Sequence, residues 1–286
     1  MPSSVTCPFP SCGNEIPQPS PCCPHCGRPG IFWNVREAEE ADEVAGLDHR
    51  YQAARKDAVA RKADLVLQDF ENALSRSKAV ITRNHNDVLR LASSTRQLYA
   101  TYYQLVESGV RLPDGDEWDV VRELADTLLF PHYKQHMRFG ALSLDGRGLA
   151  NYGDCSIILR EEMIADRTSV FEENSALFVE RHGIKISRHP NVPKGYRAAW
   201  TDRAKLGAAK LQSSIDSKTT PDKYSRILLK PGTTSEDDEF IEVHIFGPMT
   251  VLTMEQVVVI APQTSRRATI SRAIKSKLAK HKVQVS

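Results

Sequence analysis

The feature that most constrains this chain is a set of closely spaced cysteines near its start. The segment "CPFPSCGNEIPQPSPCCPHCG" carries one pair at Cys7 and Cys12 and a second pair at Cys23 and Cys26. Two such pairs joined by a short loop are typical of zinc ribbons, in which four thiolates complete a tetrahedron around the metal. Cys22 competes with Cys23 for the third position, and Cys23 is preferred because it completes a C-x2-C pair.

Residues 1–30 are therefore predicted to be a zinc ribbon with one structural Zn²⁺. A short segment this rich in proline cannot build an apolar core, so the metal must supply the folding energy. Five of the six cysteines lie here, which favours a reducing compartment over a disulfide-rich secreted protein. No basic and apolar leader and no apolar run of about 18 residues is visible, so we expect a cytoplasmic protein without a membrane span.

Residues 31–74 are predicted to form a long helical linker. Apolar residues recur at three- and four-residue spacing from Val44 to Ala73, with a small phase shift between Ala58 and Ala63. The acidic segment "REAEEADE" suits a helix N-terminus because of the helix dipole. No proline interrupts the pattern, so we expect one continuous helix, which could pair with a second copy of the chain to form a homo-oligomer.

Residues 75–286 are predicted to form one α+β domain. Helical patterns fill most of its first half, and strand-like segments concentrate in its second half. The segments with strand composition are "KAVITR", "CSIILRE", "YSRILLK", "QVVVIAP" and "HKVQVS". This order lacks the regular alternation of a dinucleotide-binding sheet, and the chain has neither a Walker loop nor a GxSxG elbow.

The segment "FIEVHIFGPMT" (240–250) is a strand that places ionisable residues on one face. Strand side chains alternate between faces, so the Ile, Val and Ile at positions 241, 243 and 245 share a face suited to the core. Glu242 and His244 share the other face with two phenylalanines. Because a buried carboxylate is costly unless it is paired, this second face is expected either to be solvated or to line a cleft.

Two segments, taken in chain order, resemble motifs of ADP-ribosyltransferases, particularly those of the bacterial toxin type. "NYGDCSIILREEMIADRTSVFEENS" is similar to the "YG…v.LK…v..RaTf…S" stretch of such domains, and "FIEVHIFGPMT" is similar to their late "yiEaqIhG" strand. The resemblance covers roughly residues 75–286. It implies a split, twisted β-sheet with helices that binds NAD⁺ between two sheets.

The resemblance also implies roles for single residues. Glu242 falls on the catalytic glutamate, and His244 falls on the polar position two residues later. Ser169, within "RTS", is similar to the Ser/Thr strand, and Tyr152 belongs to the "YG" motif, so both are expected at the NAD⁺ site. The arginine that begins the site stays open between three positions: Arg83, Arg138 and Arg147.

The function that the resemblance implies is NAD-dependent transfer of ADP-ribose to a macromolecule. The acceptor could be RNA, DNA or protein, and an enzyme of the toxin or defence type would have an inhibitor or antitoxin protein as a partner. Family members that modify arginine carry Glu or Gln two residues before the catalytic glutamate. This chain has Phe240 there, which argues against arginine as the acceptor.

Two other function classes stay open. Residues 266–282 hold seven lysines or arginines and no acidic residue, so this segment and a zinc ribbon could together bind nucleic-acid phosphates. The same segment would also suit the solvated face of a helix. In the third class the chain is a non-enzymatic adaptor, whose ribbon and helix bind a partner while the α+β domain is a degenerate scaffold.

Overall fold

The computed structural model describes residues 4–7, 12–17, 23–27, 32–107, 109, 117–131, 133–185, 191–234, 236–259 and 265–286. Cys22 lies outside this part of the chain, as do the side chains of Arg266 and Arg267. The described residues form a mixed α+β structure, which confirms the predicted fold class. Within these ranges no helix combines the length and the apolar character needed to cross a bilayer.

A small antiparallel hairpin opens the described chain. Strand β1 (Ser4–Thr6) pairs with strand β2 (Glu15–Pro17). The backbone N–H of Cys7 donates to the carbonyl of Asn14 at 2.8 Å, which continues the pairing beyond Thr6. In the part of this unit that the structure describes, the buried side chains around Ile16 are cysteines.

Three helices follow where one continuous helix was predicted. They are α1 (Trp33–Ala38), α2 (Ala41–Ala60) and α3 (Asp64–Leu74). Helix α2 ends because Lys62 adopts a left-handed conformation with φ of 58°, and the N–H of Ala63 then bonds to the carbonyl of Ala58 at 2.8 Å. This is a Schellman-type helix end, and it explains the phase shift in the apolar pattern.

The remaining helices and strands follow in chain order. They are β3 (Lys78–Arg83), α4 (His85–Leu91), α5 (Tyr102–Glu107), α6 (Glu117–Leu129), β4 (Met137–Ser143), β5 (Cys155–Leu159), α7 (Glu161–Ile164), β6 (Thr168–Phe171), α8 (Ser175–Arg181), β7 (Arg197–Ala199), α9 (Arg203–Leu211), α10 (Tyr224–Leu228), β8 (Glu242–Phe246), β9 (Met254–Val259), α11 (Ser265–Ala279) and β10 (Gln284–Val285).

Eight of these strands form one mixed sheet in the order β10-β9-β5-β3-β4-β8-β6-β7. The predicted strands "KAVITR", "CSIILRE", "QVVVIAP" and "HKVQVS" are confirmed as β3, β5, β9 and β10, except that residues 260–262 of the third lie outside the described part of the chain. The predicted strand "YSRILLK" is wrong, because residues Tyr224–Leu228 form helix α10. Tyr224 and Leu228 are both buried, and their four-residue spacing places them on one side of a helical turn.

Helices cover both faces of the sheet. Helices α2 and α3 pack with α9 over one face, where the main apolar core includes Val243 and Ile245 of β8. A second core lies on the opposite face and includes Phe246 together with residues of α6 and α8. Leu47 and Ala58 of α2 are buried in the main core. The predicted pairing of this helix with a second copy of the chain would therefore have to use another face of α2.

Candidate functional site

A cleft opens where the two central strands of the sheet separate. Strands β3 and β4 pair only from Lys78 with Ser143 to Val80 with Ala141. Beyond that point β3 continues along β5 and β4 continues along β8. The cleft between them is lined by residues of β3, β4, α5, α6 and β8 and of the turn that precedes β5.

Gly140 of β4 lies close to the point where the strands separate. A β-carbon at this position would lie 2.7 Å from the carbonyl oxygen of Val80 on β3. A larger residue would push β3 and β4 apart next to their last paired residues, Val80 and Ala141. The glycine therefore allows the close approach that sets the inner end of the cleft.

Glu242 stands in the wall of this cleft and is 1% exposed. Its carboxylate accepts hydrogen bonds from Arg122 Nη2 at 3.2 Å and from the backbone N–H of Ser175 at 3.0 Å. His244 Nε2 lies 3.0 Å from the same carboxylate. Burial alone would raise the pKa of Glu242, but Arg122, His244 and the Ser175 N–H together hold this pKa below its usual value.

Arg122 connects Glu242 to a second buried carboxyl group in the cleft. Its Nε lies 3.7 Å from Asp126 Oδ1, because an i, i+4 spacing places both side chains on one face of α6. The hydroxyl of Tyr103 donates to Asp126 Oδ2 at 2.8 Å. Burial raises the pKa of Asp126, and the charge of Glu242 adds to this shift. The cleft thus holds two carboxyl groups whose pKa values are shifted in opposite directions.

His244 is enclosed behind the cleft wall. Its ring contacts three phenylalanines, with centroid distances of 4.8 Å to Phe130, 5.4 Å to Phe139 and 5.6 Å to Phe171. With its bond to Glu242, this enclosure fixes the ring and helps to orient the carboxylate. His244 is not among the residues that line the cleft.

Ser169 also lies behind the wall, directly opposite His244 in the pairing of β6 with β8. It is 2% exposed. Asn34 of α1 donates to Ser169 Oγ at 3.1 Å and to the carbonyl of His244 at 2.9 Å. The segment predicted as a linker therefore contributes a buried polar contact to the support of the site.

The candidate arginines separate into two groups. Arg83 at the end of β3 and Arg138 on β4 both line the cleft, whereas the side chain of Arg147 is exposed on the turn after β4. Arg138 is buried and donates to the carbonyls of His136 at 2.8 Å and Tyr99 at 3.2 Å. Burial, together with the charge of Arg167, lowers the pKa of Arg138 to about 10.

Tyr152 lines the cleft together with Glu242. Burial raises the pKa of its hydroxyl to about 12, and the charge of Glu242 contributes to this shift. Sequence reasoning found Tyr152 but missed Arg122, Asp126 and Tyr103. Arg122 and Asp126 look in the sequence like an ordinary ion pair on a helix surface, and no local signal shows that they face Glu242.

The four N-terminal cysteines come together as a second site. The sulfur atoms of Cys7, Cys12, Cys23 and Cys26 all lie within 4.8 Å of one another. The Cys7–Cys26 and Cys12–Cys23 sulfur distances are 3.8 Å and 3.6 Å. A disulfide would need about 2.05 Å, whereas a tetrahedron with metal–sulfur bonds of about 2.3 Å has edges of about 3.8 Å. The cluster therefore fits a metal ion and is compatible with structural zinc.

Local contacts favour the thiolate form of Cys12. The backbone and side-chain amides of Asn14 lower the pKa of Cys12 to about 6. Gly13 and Gly27 follow the second cysteine of each pair and have φ values of 58° and 68°. This left-handed conformation, which glycine adopts without strain, bends the chain back toward the sulfur atoms.

A scan against protein-family models finds none that matches this chain, and a search of curated proteins finds no significant match. Function is therefore inferred from the chemistry of the cleft and of the cysteine cluster.

Proposed function

We propose that this chain is an NAD-dependent ADP-ribosyltransferase of the toxin or defence type, which modifies a macromolecule. The observation that carries the proposal is Glu242, a buried and ionised carboxylate in the wall of a cleft between diverging central strands. A split sheet with a catalytic glutamate on a late strand is what the motif resemblance implies. Two arginines that line the cleft, Arg83 on β3 and Arg138 on β4, support the same function.

In the proposed reaction the bond between nicotinamide and C1′ of the ribose breaks. Nicotinamide leaves with the electron pair, and positive charge develops on the ribose as an oxocarbenium-like state. A fixed carboxylate favours this state only as the charge appears, so its binding energy lowers the barrier. Glu242 suits this role because Arg122 and His244 keep it ionised and hold it in place.

The rest of the cleft offers groups for the dinucleotide. Arg83 and Arg138 line the cleft and would place positive charge beside the pyrophosphate. Tyr152 and Phe240, which both line the cleft, would pack against the nicotinamide or the ribose. Ser169 and His244 would act from behind the wall by fixing strand β8.

The acceptor must lose a proton as it attacks C1′. Asp126 is the group suited to take it, since its carboxyl lines the cleft and has a raised pKa. A carboxylate with a pKa closer to neutrality is a better general base. Glu242 would stabilise charge and Asp126 would move the proton, which assigns one task to each carboxyl group.

The cysteine cluster would hold one structural Zn²⁺. Four thiolates fill a tetrahedral site and leave no open position for substrate, so the metal would have no part in the transfer. Its role would be to fold the N-terminal unit.

The test is release of nicotinamide from NAD⁺ by the parent protein and by Glu242→Gln, measured with RNA, DNA and protein acceptors. We expect Glu242→Gln to reduce release about 100-fold, which corresponds to about 3 kcal/mol of barrier. Glu239→Gln is the matched control, because Glu239 is exposed and pairs with Lys230 at the surface. No release by the parent with any acceptor would support the non-enzymatic adaptor instead.

A further inference from the structure

The charge of the chain is divided sharply along its length. Residues 264–286 hold seven basic and no acidic residues, whereas residues 1–263 hold 31 basic and 36 acidic residues. A chain of formal net charge +2 therefore consists of a body of charge −5 and a C-terminal end of charge +7. Such asymmetry is a recognised sign of binding to a polyanion.

Helix α11 displays this charge on one outward face. Ile274 and Leu278 are fully buried and anchor the helix to the sheet. The opposite face exposes Arg272 and Lys275, and Lys280 is exposed just beyond the helix end. Within the described ranges, none of these three side chains pairs with a carboxylate, so their charges are available to an anionic partner.

The first half of α11 is tied to the mouth of the cleft. Ser271 Oγ lies 3.3 Å from His85 Nε2, and His85 Nδ1 lies 3.1 Å from Asp154 Oδ2. His85 follows the cleft-lining Arg83 by two residues, and Asp154 follows the cleft-lining Tyr152 by two residues. Because Arg83 and Tyr152 are both partly exposed, these contacts place the start of the basic face beside the entrance.

The other end of α11 leads away from the entrance. His281 Nε2 lies 3.2 Å from the carbonyl of Ala92, where helix α4 has ended. Helix α11 therefore runs parallel to α4, and its exposed charges form a track from the cleft mouth outward. Such a track matches the repeating phosphates of an extended strand better than a single anionic group.

We infer that the exposed face of α11 binds the phosphate backbone of single-stranded nucleic acid and directs the strand toward the cleft. Unpaired bases stack on aromatic rings, and Tyr102 and Tyr103 both line the cleft. A single strand fits because only an unpaired nucleotide can enter a cleft that leads to a buried carboxylate. The idea that this nucleic acid is also the acceptor of ADP-ribose rests on the proposed function. Its binding to α11 does not depend on that function.

An anionic membrane is the less suitable partner. The outward face of α11 presents Arg272, Lys275, Ser276 and Ala279, without a large apolar side chain that could enter a bilayer. Helices that bind the membrane interface combine basic residues with a wide apolar face. On α11 the large apolar residues Ile274 and Leu278 are buried in the protein.

The test measures binding of a fluorescein-labelled single-stranded RNA of about 16 nucleotides by anisotropy, over a range of salt concentrations and without NAD⁺. The test variant is the triple substitution Arg272→Glu, Lys275→Glu and Lys280→Glu. The control variant reverses the same number of exposed charges elsewhere, through Lys56→Glu, Arg76→Glu and Lys218→Glu. Circular dichroism confirms that both variants are folded.

We expect the test variant to bind at least ~10-fold more weakly and to lose about 2 from the slope of log affinity against log salt, because phosphate contacts are removed. The control variant should lose much less. Equal losses in both variants, or no binding by the parent, would overturn the inference. Binding of phosphatidylserine vesicles in preference to RNA, abolished by the test variant, would assign the face to a membrane and also overturn it.

Nicotinamide release measured on the same proteins keeps the two proposals separate. RNA binding that depends on α11 in a protein that releases no nicotinamide would leave this inference standing and remove the transferase.

Discussion

The N-terminal cysteine unit and the sheet domain reach a fixed structure by opposite means. In the described part of the first 27 residues the buried cluster consists of Ile16 and cysteines. The sheet domain instead packs two extensive apolar cores against the faces of an eight-stranded sheet. Where a core is nearly absent, metal–ligand bonds must supply the folding energy. Where the core is large, a buried ionised group such as Glu242 can be tolerated.

Removal of the metal tests whether the N-terminal unit and the sheet domain are stabilised in different ways, and it is the change with the largest expected effect on stability. Structural zinc contributes about 10–16 kcal/mol to small zinc domains, so Cys23→Ser or a chelator should unfold the N-terminal unit. The melting transition of the sheet domain should stay where it is. Zinc analysis measures the loss of the metal, limited proteolysis measures unfolding of the N-terminal unit, and calorimetry measures the melting temperature of the sheet domain.

Cys22→Ser is the matched control for that experiment and should keep about one zinc per chain. A sheet-domain transition that moved with the zinc would show that the two regions are not stabilised separately.

Loss of Arg122 tests how the sheet domain tolerates its buried carboxylates. Arg122→Met leaves Glu242 without its guanidinium partner and should lower the free energy of unfolding by about 3 kcal/mol, measured in urea. Adding Glu242→Gln should recover part of this loss, because the unpaired charge is then gone. Arg147→Met, at an exposed site, should cost less than about 0.5 kcal/mol. Equal losses for the two arginines would refute the ion-pair account.

The pH dependence of transfer tests the division of tasks between the two carboxyl groups. Because the pKa of Asp126 is raised, this group stays protonated to a higher pH than an exposed aspartate and cannot act as a base there. Transfer should therefore rise with pH as Asp126 ionises. Asp126→Asn should lower the rate by about 100-fold and flatten that limb of the profile. An unchanged pH profile in the variant would remove Asp126 as the base.

Local signals in the sequence predicted the parts of the molecule that depend on short-range chemistry. The spacing of the cysteines predicted the metal cluster, and alternation along residues 240–250 predicted strand β8 with Glu242 on one face. Both depend on residues within a short stretch. The end of α2 at Lys62 was missed because the usual glycine signal is absent and a lysine adopts the left-handed conformation.

The parts that depend on distant contacts could not be predicted in this way. Arg122 meets Glu242 across 120 positions of sequence, and the packing of α2 against α9 is equally remote. Residues 224–230 have strand composition, but burial of Tyr224 and Leu228 on one side favours a helical turn. In each case contacts with residues that are distant in sequence decide the local structure or the side-chain partner. The neighbouring residues in the sequence carry no signal of those contacts.

The adjacency of β4 and β8 in the sheet has a consequence for protein synthesis. These strands pair through Met137–Phe246 and Ala141–Glu242, although about 100 residues of chain separate them, so this part of the sheet must form through slow, long-range contacts. While the ribosome is still adding those residues, β4 presents an open edge and Arg122 has no Glu242 to bind. A nascent chain therefore cannot complete the wall of the cleft with Glu242 until most of its length has emerged.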